Sequence, residues 1–305
     1  MTALTDLFGK PKAIIAMAHF PPMPGQPLHD ARGGIQAMLD AVGHDVEILA
    51  GSGVDAVMFC NEGDRPYRTE VGPEVPAVMA SVITELKRDL PIPFGVDILW
   101  DPRSAIALAK AVGARFVREV FTGAYAGDFG VWNTNPAETL SYRRRIGADD
   151  VKLFFNVTAE FAAPIGAREI GLTARSAVFS SLADAVCVSG VVTGTGVDVS
   201  QLRAAKEGVG SDVAVIANTG VRPRPSGKCS TSPTVASSGR RSSRTASPGT
   251  PSTPPASSAS WLPRRIAVNG LHLDQRRSSL RRTVRAPRRG GGSNLAVVPP
   301  DVGRS

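Results

Sequence analysis

Seven short stretches of the chain put ionisable, hydroxyl or amide side chains directly behind, or inside, runs of β-branched and aromatic residues. His19 follows AIIAMA. Asn61, Glu62, Asp64 and Arg65 follow VDAVMF in the segment FCNEGDRPY. Asp97 lies within FGVDIL, with Asp101 just behind it. Arg118 and Glu119 interrupt the apolar run 114–120, and Lys152 and Asn156 sit in VKLFFNV with Glu160 beyond. Ser189 and Gly190 open SGVVTGTG, and Asn218, Thr219 and Gly220 end VAVIANTG. An imidazole at a strand end suits acid/base work or substrate contact, and equally a structural cap. Two carboxylates and a guanidinium on one rim can bind a hydrated divalent cation or polarise a hydroxyl, or can pair with one another in solvent. These considerations make His19, Glu62, Asp64, Arg118, Lys152 and Asn156 the catalytic candidates. Gly/Thr-rich loops can turn backbone amides toward an anion, or can be plain tight turns. On that ground Ser189, Gly190, Asn218, Thr219 and Gly220 are the candidates for substrate or phosphate binding.

Parity sorts some of these residues. Lys152 and Asn156 are an even number apart and share a strand face, whereas the consecutive Arg118 and Glu119 cannot both point inward. Asp97 in an apolar run needs a partner such as Arg118 or Lys152. Asp101 reads first as a helix N-cap. The three cysteines (Cys60, Cys187, Cys229) have no CxxC or Cys/His spacing, so no metal site is assigned; a divalent cation at the Glu62/Asp64 rim is the only cofactor suggested. Cys60 and Cys187, at the ends of apolar runs, read as buried thiols.

The elements that must position these groups repeat in order. Apolar runs at 13–18, 54–59, 94–99, 114–120, 151–157, 184–189 and 213–218 alternate with helix-period segments at 34–51, 74–90, 102–112, 136–147, 168–182 and 198–208. Asp101-Pro102 and Asn135-Pro136 read as N-cap followed by proline at the first helical position. Such alternation implies parallel βαβ units. Seven strands with no GxGxxG after the first favour an α/β barrel of the TIM (β/α)8 type, whose strand ends carry the site. The long segment after the fourth strand, up to Asn135, is rich in glycine and aromatics. Its length and composition predict a lid or binding loop rather than disorder, a packed surface loop being the plainer alternative.

The eighth βα unit is missing. From Arg222 the composition turns to Arg, Ser, Thr and Pro, giving two expected regions: a barrel over 1–221 and a disordered basic tail over 222–305. The tail holds 16 Lys/Arg and 2 Asp/Glu, leaving 19 basic and 25 acidic residues in 1–221, so the net charge of +8 belongs to the tail. Arg276, Arg277, Arg281, Arg282, Arg285, Arg288 and Arg289 could hold nucleic-acid phosphates, but with no folded reader beside them only non-specifically. Out-of-frame translation accounts better for the tail. Reading plausible G/C-rich codons for Gly227 to Trp261 one nucleotide earlier can give a helix, a strand with a VVGTA turn and a closing helix. As translated, the first and seventh strands are expected to have unpaired edges. No apolar run approaches the roughly 18 residues of a membrane span, and MTALTDLFGKPK lacks a signal-peptide pattern, so a cytoplasmic location is expected.

The stretches AMAHFPPMPG, FCNEGDRPY, GVDILWD, GARFVREVFTGAYAGDFGVWNTN, VKLFFNV, ADAVCVSG and IANTGV together resemble the BtpA/SgcQ family of predicted TIM-barrel proteins, over residues of about 13 to 222. FVREVFTGAYAGDFG and NEGDRPY look closer to the SgcQ branch than to the photosystem-associated BtpA branch. The family's closing strand, with its ADG-x-VVGT-like turn, matches the out-of-frame reading. The resemblance implies either an enzyme for a phosphorylated sugar or nucleoside-type small molecule, or a non-catalytic biogenesis factor for a membrane complex, such as photosystem I. It supplies no catalytic set to carry over. Homo-oligomerisation is a further expectation, and a small-molecule substrate is the expected partner.

Overall fold

The computed structural model describes residues 1–192, 194–223, 229–230 and 295–297, with side chains up to residue 221. Seven parallel strands curl into a sheet of the TIM-barrel type: β1 (Ile14–His19), β2 (Ala56–Cys60), β3 (Phe94–Asp97), β4 (Phe116–Glu119), β7 (Lys152–Asn156), β9 (Ala185–Val188) and β10 (Ala214–Pro223). The crossovers are helices α2 (Gly34–Gly51), α3 (Glu74–Leu86), α4 (Pro102–Val112), α5 (Pro136–Arg145), α6 (Ile170–Ser181) and α7 (Val199–Val209). Each expected strand and helix is present.

The two faces of the strands separate two cores. Val57, Phe59, Val96, Val117, Leu153, Phe155, Val186 and Val215 pack outward against the helices. Ile15, Met17, Met58, Phe116, Phe154, Cys187 and Ile216 fill the lumen. α2 shows how the helices meet the outer core: Met38, Val42, Val46 and Leu49 form one buried stripe at helical spacing. Asp101 and Asn135 cap α4 and α5 as expected, each side chain accepting a backbone N–H (Ser104 and Glu138) ahead of a proline. Cys60 and Cys187 are buried free thiols.

Three features depart from the sequence reading. A short helix, α1 (Ala3–Phe8), closes the N-terminal end of the lumen: Ala3 and Leu4 are buried in the inner core and the Phe8 ring meets that of Phe116 edge-on at 6.1 Å. The long segment after β4 is a hairpin, β5 (Ala124–Gly127) and β6 (Gly130–Asn133), extended by β8 (Ala162–Pro164) into an antiparallel flap. Finally, the edges expected to lack partners have one. β12 (Leu295–Val297) lies antiparallel between β1 and β10, with Ile14 opposite Val297 and Val221 opposite Leu295. β11 (Cys229–Ser230) pairs with the end of β10. Most of the expected basic tail lies outside the described residues.

Candidate active site at the barrel mouth

The C-terminal ends of the strands carry a continuous polar network in an otherwise apolar lumen. Arg118, the third residue of β4, pairs with Asp97 at the end of β3 and donates to Asn218 Oδ1 at 2.8 Å. Asn218 Nδ2 donates to Ser189 Oγ at 2.8 Å. The Cys60 thiol lies 3.7 Å from Asp97 Oδ2 and 4.0 Å from Glu62 Oε2, and the Tyr67 hydroxyl donates to Glu62 Oε1 at 3.0 Å. Asp97, Arg118, Glu119, Asn156, Glu160, Ser189 and Asn218 are all buried. A buried charge is tolerated only when paired and hydrogen-bonded, which the Arg118–Asp97–Asn218 arrangement provides.

Burial and neighbouring charge set the protonation of this cluster. Burial drives the Glu119 carboxyl well above its ordinary range, and the charge of Asp97 adds to that shift; the proton so retained is hydrogen-bonded to Asp97. Glu119 therefore reaches Asp97 despite its parity with Arg118: being last in β4, it lies where the strand gives way to a loop. Burial pushes Glu160 up to about 7, with Arg118 pulling it down and Glu62 pushing it further up. Its Oε1 is buried without a partner. Burial is also the main cause that raises the Cys60 thiol far above its usual value, with Asp97 and Glu62 adding to it, so it is no nucleophile near neutrality.

An aromatic lid covers the network. Tyr125 and Trp132, opposite each other in the flap, stack at 4.6 Å. Phe129 at the hairpin tip lies 5.9 Å from Tyr67 and 5.7 Å from Trp100, ring centre to ring centre. Trp100 lies 6.3 Å from Trp132, and Tyr67 lies 6.0 Å from Phe161. The indole N–H groups of Trp100 and Trp132 are buried and unpartnered. Below the lid, a cavity lined by Ile15, Met58, Phe116, Arg118, Phe154, Cys187, Ile216 and Asn218 measures about 10 Å³, room for a single water molecule.

The structure gathers Arg118, Ser189 and Asn218 into one network, with Glu62 joined through Cys60. His19, half-buried, ends β1 opposite Cys60. Asn156 ends β7, and its Oδ1 accepts from the Thr158 N–H and hydroxyl at 3.2 and 3.3 Å. Asp64 does a different job. Its oxygens accept the Met23 N–H at 2.7 Å and the Asn61 amide at 3.0 Å, tying the loop after β1 to the loop after β2. Lys152 is not among them. It begins β7, at the opposite end of the barrel, and pairs with Asp6 at 3.2 Å and Asp184 at 3.6 Å, so Asp97 takes Arg118 as its partner. Thr219 and Gly190 are committed to each other: the Gly190 N–H donates to Thr219 Oγ1 at 2.7 Å, and that hydroxyl donates to the Thr195 carbonyl at 2.8 Å. Gly220 has φ +66, and a Cβ there would lie 2.3 Å from the Gly196 nitrogen. Among the described residues, no three His, Cys, Asp or Glu side chains are grouped to hold a metal ion. Glu160 and the Asp97–Glu119 pair are the groups that sequence reasoning left out of its candidates. Their signal was a carboxyl within or just past an apolar run.

The BtpA family model matches residues 10–228. SgcQ, a protein of the sgc region of Escherichia coli (strain K12), is 49% identical over 221 residues, 72% of this chain and 82% of that protein. The photosystem I biogenesis protein BtpA of Synechocystis sp. is 30% identical over 207 residues, 66% of this chain and 70% of that protein. Among solved structures, the chain is similar to a dihydropteroate synthase from Xanthomonas albilineans at 16% identity and a TM-score of 0.43, covering 66% of this chain and 70% of that one. With the matched residues running through all seven parallel strands, the chain belongs to the BtpA family.

Proposed function

We propose that the barrel mouth is the active site of an enzyme that moves a proton to or from an oxygen of a small sugar- or nucleoside-type molecule. One observation carries this reading: Glu160 is a buried carboxyl with an unpartnered oxygen, held at about 7 in a mouth that also contains the Asp97–Glu119 pair. A carboxyl poised near neutrality can both donate and accept a proton, and pairs of carboxyl groups with separated affinities are the usual basis of acid–base assignments. Arg118 fixes Asp97 and sets the local field, while His19 and Glu62 stand at the rim to contact substrate or a divalent cation. Ser189 and Asn218 are bonded into the network, and Thr219 and Gly190 to each other, so a phosphoryl group would bind there only by displacing those bonds. The test is thermal stabilisation of the protein by a panel of sugars, sugar phosphates and nucleosides, repeated with Glu160→Gln. No shift across the panel counts against the reading.

A second reading, a biogenesis factor that docks on a membrane complex, is favoured by the exposed apolar side chains of α6, Leu172 and Phe179, and by Leu182 just beyond it. No helix among the described residues is long and apolar enough to cross a membrane, so on this reading docking is peripheral. It predicts that Phe179→Ser abolishes partner capture while Glu160→Gln does not.

We also propose that the chain leaves its proper reading frame between Arg222 and Gly227. The change of composition there and the end of the family match at residue 228 support this.

A further inference from the structure

The lid and the mouth together offer a hydrogen-bonding pattern that selects a ligand class. We infer that the moiety entering the mouth is an uncharged polyhydroxylated ring, and that any phosphate of the substrate stays outside. This rests on the acid–base reading above and narrows it.

At this end of the barrel two buried donors, Trp100 Nε1 and Trp132 Nε1, lack partners, as do the buried acceptors Glu160 Oε1 and, apart from the proton that Glu119 holds against Asp97, Asp97 Oδ1 and Glu119 Oε1. Trp100, only 4% exposed, lines the crevice between the ends of β3 and β4 together with Asp97, Arg118, Glu119 and Asn156. An unmade bond on a buried polar group costs about 1–3 kcal/mol, so these groups together form a standing demand for a ligand. Hydroxyl groups meet it from both sides, since each accepts from an indole N–H and donates to a carboxylate oxygen. The rings of Tyr67, Trp100, Phe129 and Trp132 supply the apolar surface against which the C–H face of such a ring packs.

A phosphate meets the opposite reception. Glu62, Asp97 and Glu160 face the mouth, and Asp97 already occupies Arg118. The Gly190 amide, the donor that the loop after β9 would turn on an anion, is bonded to Thr219. Because the aromatic flap lies over the mouth, with Trp132 against Trp100, the ring would enter as the flap lifts and separates those two indoles.

The experiment uses the full chain. Intrinsic tryptophan fluorescence is titrated with glucose, glucose 6-phosphate, ribose, ribose 5-phosphate and inorganic phosphate, on wild type, Trp100→Phe and Trp132→Phe. Phenylalanine keeps the ring face and removes the N–H. The expected result is saturable binding of at least one neutral sugar, no competition by inorganic phosphate, and roughly tenfold weaker binding in each variant, the loss of one hydrogen bond. Circular dichroism of the variants confirms that they fold. If the phosphate esters bind and the neutral sugars do not, the inference is overturned and the small-molecule reading stands. If no probe binds, both fall. Neutral-sugar binding that both variants leave unchanged also overturns the assignment of the indole donors.

Discussion

Glu160 is the residue on which pH should act. Below about pH 4.5 its carboxyl is protonated in folded and unfolded chains alike. Between there and about 7 only the folded chain keeps the proton, and above about 7 the fold must bury a carboxylate that the unfolded chain leaves in water. Stability contributed by this group is therefore complete below the unfolded value and is lost as pH rises through the folded one, by roughly 3 kcal/mol at most. Glu160→Gln removes that loss: its melting temperature should exceed wild type at pH 8 and match it at pH 4. Equal differences at both values would contradict the assignment. The Asp97–Glu119 pair makes a second, sharper contrast. Since Glu119 already carries its proton, Glu119→Gln keeps a donor to Asp97 and should change stability by less than about 1 kcal/mol. Asp97→Asn strands the Arg118 charge and should cost about 3–5 kcal/mol. Urea denaturation of the two variants separates these outcomes.

At the scale of elements, the flap is the part most open to perturbation. A Cβ on Gly127 would come within 2.2 Å of the Phe161 carbonyl oxygen, where β5 lies against β8. Gly127→Val should pry these strands apart and expose Trp132, raising acrylamide quenching of tryptophan fluorescence while the barrel melts within a few degrees of wild type. The parallel strands and the helices around them were legible in the sequence because α2, α3 and α4 repeat an apolar stripe, α5 is marked by its Asn135-Pro136 cap, and the buried strands are mostly apolar runs broken only by residues such as Asp97, Arg118 and Asn156. The flap strands were not. They are three or four residues long, expose most of their side chains, and owe their pairing to contacts with the mouth rather than to their own pattern. α1 was missed for a similar reason: at six residues it has too little periodicity to read, and only its place under the lumen makes it stable. The site was legible in part. Parity put Lys152 and Asn156 on one strand face, but not at one height: four residues of strand separate them by roughly 13 Å, enough to leave one at each end of the barrel. The partnership of Asp97 with both Arg118 and Glu119 depends on the register of β3 against β4, which no single strand reveals.

For the molecule as a whole, the proposed loss of reading frame makes a prediction about the barrel. A frame-restored protein, with its own closing strand and helix, should melt higher and stay soluble at higher concentration than the chain as translated. Resequencing codons 215–265 settles whether a base has been gained or lost. Equal thermal stability of the two proteins would refute the proposal. The charge split between the two regions makes a further difference: the barrel carries an excess of acid, so any binding of nucleic acid by the translated chain should vanish with the tail and weaken steeply with added salt.

The short helix at the other end of the lumen has a consequence that reaches across the whole barrel. Ala3, Leu4 and Phe8 act as a stopper, keeping bulk water from rising between Phe116 and Phe154 toward Arg118 and Asp97. On the proposed acid–base reading, the chemistry at the mouth would depend on that dryness, because solvent entering from beneath would screen the ion pair and let Glu119 and Glu160 shed their protons. The first eight residues thus serve as the insulation of a site they never touch, and a tag or deletion at that terminus would be felt at the far opening.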